Sequence, residues 1–590
     1  MDTHRLSDDP SADGSSHVHN RHPQSPSVSA PPALAPSTRI LDWVMAAEQA
    51  EVDGRGGSYR NQRTSSTEKD PLPMDEYPPA PEGLATEENN RLDEDFTITE
   101  ALDIIGIGPF HYRLLVVVGL ISIAGGLGST GFALFPPLAR CHLNLSSVAE
   151  AILTSSGFLG AACGGVGMGY LATRFGRRTE LLILIVWTSY FGFLSAVSPD
   201  YYWLLFMRFL VGFGHGGTGQ RLSILFEYMP AQYRTLGAGV LTFCWNCGNF
   251  LEAVFIKVLI PTGSAWRYIL VSDAAVFFIC IFFQSWLPES PLFLFNIVGD
   301  RRKARQKLEY AAKLNGKTLP AGRLISAEER QEMIRGPPPY ESDDSLSVEK
   351  PKTEEKVNEQ TPLSPPSASA RERGIMSLFR PAALFRTTIL LAFAWLMLSI
   401  AVVGCAILTE EVLQERQSLK GKCTNHFSVY HKKSCEELSA KDYTPIMVIF
   451  ASEFPALFVT YFSANILGRK VALALAFVLS GVFFALLLIC PIAEAWTTFF
   501  LAGSRMMVTT CFSLMIIYTP EVYPTYARGM AVGLSRAVYR VGSAGVPFLS
   551  QVLLRESSYA SKSVHAGACI ITGFMLLLLP IETRNRDLDD

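Results

Sequence analysis

The chain has 590 residues, of which 49% are hydrophobic and 18% charged, with a formal net charge of −3. The apolar residues fall in blocks separated by polar stretches, which excludes an ordinary soluble domain with an evenly spread core. No basic patch interleaved with aromatic residues occurs, so nucleic acid is excluded as a partner.

Residues 1–95 are rich in Ser, Pro, His, Asp and Glu and lack an early apolar core. They read as a disordered tail rather than a signal peptide. Six apolar runs follow, near 114–136, 149–170, 180–197, 202–226, 236–259 and 268–287. Each is long enough to cross the hydrocarbon core as a helix. A polar linker occupies 292–384. Its start, with Arg301, Arg302, Lys303, Arg305 and Lys307, reads as a surface helix, and its later part, through Pro337–Pro339, as unstructured. A second series lies near 387–408, 444–466, 471–490, 496–519, 529–553 and 563–581. The expected architecture is an all-α membrane protein with two six-helix bundles, 96–291 and 385–582, and a short tail, 583–590.

Basic residues in the short loops set the orientation. Arg174, Arg177 and Arg178 follow run 2, Arg234 follows run 4, and Arg469 and Lys470 follow run 8. Arg528 follows run 10, and Arg584 and Arg586 follow run 12, whereas the loops after runs 3 and 9 hold no Lys or Arg. Positive residues stay in the cytosol, so both termini and the linker are expected there. The loop 409–442 is a basic exception on the opposite side.

The halves repeat a pattern. Gly176-Arg177-Arg178, then Arg208, then Glu227 to Arg234 is matched by Gly468-Arg469-Lys470, then Arg505, then Glu521 to Arg528. Same order and similar spacing point to a duplication. Cations at these helix ends oppose the helix dipoles, and Glu227 and Glu521 can pair with them as a latch between neighbouring helices. Ordinary positive-inside anchoring is the simpler alternative.

These motifs resemble the major facilitator superfamily. Gly169 to Arg178 is similar to its loop-2/3 signature, Arg208 to Gly214 to its helix-4 motif, and Pro288-Glu289-Ser290-Pro291 and Pro580-Ile-Glu582-Thr583 to the motifs that close each half. Within that superfamily the stretches Thr99–Gly108, Leu438–Tyr443, Ser452–Pro455 and Tyr518–Pro524 resemble the synaptic-vesicle-2-related group, near the organic-ion transporters. The resemblance implies a twelve-helix fold with pseudo-two-fold symmetry, helices 5 and 8 facing each other, and helices 2 and 11 sliding past each other. The chain departs from the pattern at Thr173 and Asn465, where an acid is usual, and at Gly125-Gly-Leu-Gly128, where relatives carry acids in helix 1. These departures weaken the charge latch and disfavour a cation or proton site on helix 1.

Ionisable residues inside a membrane mark a pathway or a buried pair. Glu252, Glu453, Arg505, Arg536, Arg540 and Arg221 are the pathway candidates by depth, with Trp245 and Tyr518 as lining aromatics. Arg208 and Arg505 correspond between halves and read as structural. Lys257 reads as snorkelling to the outer surface. Glu252, Glu453, Arg221, Arg536 and Arg540 together carry one excess positive charge, which favours an anionic or zwitterionic solute. The candidate gate on the cytosolic side comprises Arg177, Arg178, Glu227, Arg234, Arg469, Lys470, Glu521 and Arg528. Stripes of glycine in runs 2 and 11 suit close helix packing, either mobile or static.

Cys423, Cys435 and Cys141 lie on the non-cytosolic side, where a Cys423–Cys435 disulfide is expected. Asn144-Leu-Ser146 is a glycosylation sequon close to the membrane. No nucleophile–base set, metal cluster, phosphate loop or cofactor motif is present, so an enzyme is not expected. The expected function is secondary transport of a small organic solute by alternating access across a vesicle or plasma membrane, with a proton or sodium ion as coupling ion. The alternative is a transport-inactive vesicle protein acting as receptor or scaffold.

Overall fold

The computed structural model describes residues 95–262, 265–335, 382–419, 443–489, 493–523 and 525–583. The first half comprises α1 (Ile98–Ile105), α2 (Pro109–Leu143), α3 (Ser147–Phe175), α4 (Arg177–Ala196), α5 (Tyr201–His215), α6 (Gln220–Phe226), α7 (Arg234–Leu259) and α8 (Ala265–Cys280). Three short helices follow: α9 (Pro291–Asn296), α10 (Arg301–Leu314) and α11 (Ala327–Arg335). The second half comprises α12 (Ala382–Leu419), α13 (Tyr443–Ala451), α14 (Glu453–Leu467), α15 (Arg469–Leu486) and α16 (Glu494–Val522). It closes with α17 (Thr525–Pro547), α18 (Leu553–Glu556) and α19 (Ser558–Leu576).

All twelve predicted crossings are helical, but three are interrupted. Run 4 is split between α5 and α6 by a 3-10 turn at Gly216–Gly219. Run 8 breaks at Ser452, whose hydroxyl donates to the Ala502 carbonyl at 2.9 Å. Run 11 passes through a π turn, Phe548–Val552, just after Pro547. Proline and glycine free backbone groups at such points, and neighbouring helices satisfy them again. Large apolar side chains such as Val166, Tyr202, Phe206, Phe282, Phe458 and Phe574 remain exposed on the outer surface. Such a band suits lipid, and the chain is an integral multi-pass membrane protein.

Two ends of the bundle can be told apart: a linker end, where the chain passes into 292–384, and a far end. At the linker end α4 and α15 begin at Gly176 (φ 95°) and Gly468 (φ 84°). That conformation favours glycine. A side chain at either position would also strike a carboxylate, Glu289 at 2.5 Å or Glu582 at 3.0 Å. Those carboxylates accept the backbone N–H groups of Arg178 at 3.2 Å and Arg469 at 2.8 Å. Anions at a helix N-terminus satisfy orphan donors and the dipole together. The two half-closing motifs therefore do the same work in both halves.

The start of the linker folds. Thr97 and Glu100 form a capping box on α1. Phe96 and Leu102 pack with Phe293, Leu308 and Ala311 in one apolar cluster. Asn315, beyond α10, accepts the Phe110 N–H at 3.0 Å and donates to the Ile105 and Gly106 carbonyls. Arg301 donates to both oxygens of Glu329, at 3.2 and 2.7 Å. This bonding holds the Glu329 carboxyl below its ordinary range.

Two helices run past their predicted ends. α2 continues through Pro136 and Pro137 to Leu143, so Cys141 sits on its last turn rather than in a loop. α12 continues to Leu419, carrying Glu410, Glu411 and Glu415. In α12 these acids lower the hydropathy of the extension, but Arg555 and Lys562 pair with Glu411 and Glu415 and so keep it in the helix. Cys141 is disulfide-bonded. The predicted Cys423–Cys435 pairing lies outside the described residues.

Candidate functional site

Three arginines meet between the halves. Arg540 on α17 donates to the Ala161 carbonyl at 2.8 Å and to the Gly216 carbonyl at 2.9 Å, both in the other half. Arg221 on α6 donates to the Ser122 hydroxyl at 2.8 Å and to the Thr218 carbonyl. Its guanidinium lies 4.7 Å from the Trp245 ring, within range of a cation–π contact. Arg536 approaches Gly219, where an added Cβ would lie 2.6 Å from its Nη1. Arg221 lies in the repulsive field of both Arg536 and Arg540. No described carboxylate forms an ion pair with any of the three. All three side chains are partly exposed.

Trp245, named from the sequence as a lining aromatic, lies beside Arg221. The glycines of α2 make this possible. A Cβ on Gly125 would meet the Trp245 ring at 2.7 Å, and one on Gly126 would strike its carbonyl. Where relatives are expected to carry acids in helix 1, this chain packs a tryptophan instead.

Glu252 and Arg540, both read from the sequence as pathway residues, form no ion pair with each other. Glu252 is fully buried and faces Asp273 of α8 and Arg208 of α5. Arg540 is satisfied by carbonyls of the opposite half, which the sequence could not foresee. Glu453 and Arg505 also leave the pathway set. Arg505 Nε donates to Glu453 at 2.6 Å, and the two residues are 5% and 1% exposed. Asn249 from the other half donates to the same carboxylate at 2.7 Å, while Thr130 donates to Asn249 at 2.9 Å. Arg505 stacks 4.2 Å from Phe450. Both oxygens of the Glu453 carboxylate are therefore bonded, while Arg505 Nη1 finds no partner. Tyr518 is fully buried and donates to the Ile581 carbonyl at 2.6 Å. Lys257 donates to Thr444 across the halves at 3.0 Å, so it is bonded as well as near the surface.

At the linker end Arg177 pairs with Glu227 at 3.1 Å and Arg469 with Glu521 at 2.9 Å. Each pair lies within one half and joins neighbouring helices. Lys470 donates to the Leu579 carbonyl at 2.6 Å, and Arg234 to Met229 at 3.3 Å. Arg178 contributes its backbone N–H, and Arg528 lies in the field of Glu521. Thr173 bonds only its own helix, at the Tyr170 carbonyl.

The far end holds residues that the sequence reading missed. Arg555 on α18 pairs with Glu150 of α3 at 2.9 Å and with Glu411 of α12 at 2.6 Å. It also donates to Ser147 at 3.0 Å. Thr154 donates to Gln551 at 3.3 Å one turn deeper. Arg140 approaches Glu150 at 3.8 Å, and Tyr443 donates to Glu410 at 3.0 Å. Charge-assisted bonds therefore tie the two halves together at this end. Glu150, Glu411 and Arg555 each stand at the edge of an apolar run, and that position was their only sequence signal. Asn144 is exposed at the same end, in the left-handed conformation that ends α2.

The glycine stripe of α3 serves its own half. Gly160 and Gly164 meet the backbone carbonyls of Phe209 and Phe213 on α5, while Gly167 meets the Phe213 ring. Only Gly165 faces α17, at Arg540. On α17, Gly533 and Gly545 meet nothing within 4 Å. Close approach between α3 and α5, rather than a sliding track between α3 and α17, explains most of these positions.

Twelve membrane helices in two six-helix halves, with charged side chains held between the halves, define the major facilitator fold of membrane transporters. The chain belongs to the sugar (and other) transporter family, whose model matches residues 110–336 and 425–590. It is 31% identical over 512 residues to the synaptic vesicle 2-related protein of Xenopus laevis, covering 85% of this chain and 84% of that one. The synaptic vesicle 2-related protein of Rattus norvegicus matches over the same length at 31% identity, covering 85% of this chain and 84% of the relative. Among solved structures, the xylose transporter XylE from E. coli in a partially occluded inward-open conformation aligns with a TM-score of 0.57 and 14% identity. That alignment covers 81% of this chain and 100% of XylE. XylE bound to 6-bromo-6-deoxy-D-glucose, described as a proton:xylose symporter, aligns with a TM-score of 0.53 and 14% identity over 81% of this chain and 98% of that one.

Proposed function

We propose that this protein is a secondary active transporter that carries a small organic anion by alternating access. One observation carries the reading: Arg221, Arg536 and Arg540 converge between the halves with no carboxylate among them. Clustered cations in a low-dielectric site repel each other. An anionic group in their midst relieves that repulsion, and planar guanidinium forks bind carboxylate or phosphate with two parallel bonds. Trp245 offers an apolar face beside them for the body of the solute.

The linker end is the cytosolic end on this reading, as the Lys/Arg asymmetry of the short loops requires. Both termini are then cytosolic, and the Glu150–Arg555–Glu411 network closes the vesicle-lumen or extracellular side. The structure then represents a state closed to the far side. In the cycle, the anion displaces the Ala161 and Gly216 carbonyls from Arg540 and so releases a tie between the halves. A proton is the coupling ion favoured by the similarity to a proton:xylose symporter.

Counterflow in proteoliposomes tests this, with panels of organic anions, sugars and organic cations, with and without a pH gradient. Uptake of an organic anion that falls in Arg540→Gln supports the reading. Uptake confined to neutral sugars or to cations ends it.

A further inference from the structure

Two carboxylates in the first half are used by nothing described so far. Glu252 on α7 and Asp273 on α8 are 0% and 6% exposed. Both reach the same point on α2: a Cβ at Gly131 would lie 2.7 Å from Asp273 Oδ2 and 3.1 Å from Glu252 Oε1. The two carboxyl groups are in contact with each other, and among the described residues none of their four oxygens finds an N–H or O–H donor.

The charged group facing them from α5 is Arg208, which is 1% exposed. Its guanidinium is held 4.5 Å from both the Phe132 and Phe135 rings, and its Nε and Nη2 find no partner. It acts on both acids through its charge. From α2 the neighbours are Gly131 and Thr130, and Thr130 is committed to Asn249. His215 lies beyond Gly128, against Phe132, Phe277 and Trp245.

The charges do not balance as they stand. Two ionised carboxylates and one guanidinium leave a net charge of −1 in a buried site. Like-charged carboxylates at touching distance cannot both ionise in such a place. One proton shared between the two acids restores neutrality and supplies the missing donor.

We infer that Glu252 and Asp273 form a proton-binding site, holding one exchangeable proton between their carboxyl groups opposite Arg208. This inference rests on the transporter reading only for its purpose, which is to supply the coupling site that helix 1 lacks. When the site is loaded, the three side chains sum to zero charge. When the proton leaves to water, the first half carries one unbalanced negative charge at its centre, which favours a conformation that admits water or a cation. Proton loss is thereby tied to a change in how the halves meet.

Infrared difference spectroscopy of the purified full chain in nanodiscs, titrated between acidic and alkaline buffer, tests the site with the proton itself as probe. The expected result is one buried carboxylic-acid C=O component that titrates and shifts in deuterated water. Glu252→Gln and Asp273→Asn should each abolish this same component, while Glu410→Gln should leave it unchanged. Carboxyl-13C labelling of aspartate or of glutamate in the unaltered chain covers the case in which a variant does not fold: a shared proton makes the component respond to either label. A component insensitive to both labels, or retained in both variants, overturns the inference. The measurement needs no solute, so a failure to find anion uptake leaves it standing. Anion uptake together with no such component would remove only this site.

Discussion

The two halves treat the same arginine differently. Arg208 and Arg505 hold matching places in the repeat, and each lies against aromatic rings. In the second half the arginine meets one acid, Glu453, and Asn249 fills the remaining acceptor. The charges balance and both carboxylate oxygens are bonded, with Arg505 Nη1 alone left without a partner. In the first half the arginine faces two acids, and the hydrogen bonds stay open. After duplication, one copy of a buried ion site can remain a fixed strut while the other gains a spare acid and with it a titratable state. A saturated network is rigid, and an unsaturated one is costly unless something binds there.

That contrast can be broken by mutation. The largest effect is expected at the strut. Glu453→Ala leaves Arg505 buried and unpaired, and removing one partner of a buried pair costs about 3–5 kcal/mol. Thermal unfolding in detergent should show a much lower midpoint than wild type, whereas Glu252→Gln should lower it far less, because Asp273 still balances Arg208. Equal losses from the two variants would erase the distinction between the halves.

The next effect concerns the cavity. Arg540→Gln should reduce organic-anion transport roughly tenfold or more, given about 1.5–3 kcal/mol for hydrogen bonds to a charged group. Membrane insertion should be unchanged. Wild-type transport by this variant would make Arg540 a structural residue and remove the argument for an anion. Arg555→Gln should open the far end. Labelling of Cys244, which lies half-buried in the field of Arg221, by a thiol reagent applied from that side should then rise on the order of fivefold or more. An unchanged rate would show that packing alone closes the far end.

The smallest effect belongs to the partly exposed pairs at the linker end. Arg177→Ala and Arg469→Ala each remove one ion pair within a half, worth roughly 0.2–1 kcal/mol. The two should cost alike in a denaturation series, because the turns they brace are built alike. A marked difference would show that the likeness between the halves ends at the turns.

The fold was legible from sequence because membrane burial writes itself as runs of apolar residues. All twelve runs became helices, and the repeated Gly-Arg turns revealed the two halves. Side-chain partnership was much less legible. Arg221, Arg536, Arg540 and Trp245 were identified by depth and do meet between the halves. Glu453, Arg505 and Tyr518 sit at comparable depths but are buried against partners, Glu453 against Asn249 of the other half as well as Arg505, and depth in the membrane does not specify the direction a side chain faces around its helix. Asp273 was readable, being an acid inside an apolar run, and was overlooked. Glu150, Glu411 and Arg555 stand at run edges, where charge is ordinary, so nothing local separates a lock from an anchor.

Asn315 bonds the backbone at Gly106 and Phe110, where the first long helix begins, across 205 and more positions of chain. The ribosome delivers that helix to the membrane first, yet its footing is made of residues synthesised only after six crossings are complete. We expect the entrance of the first helix to stay unsecured while the rest of its half is being threaded, and to be fastened when α10 emerges. Synthesis halted just before residue 315 should therefore yield a set of inserted helices whose leading member lacks this fastening.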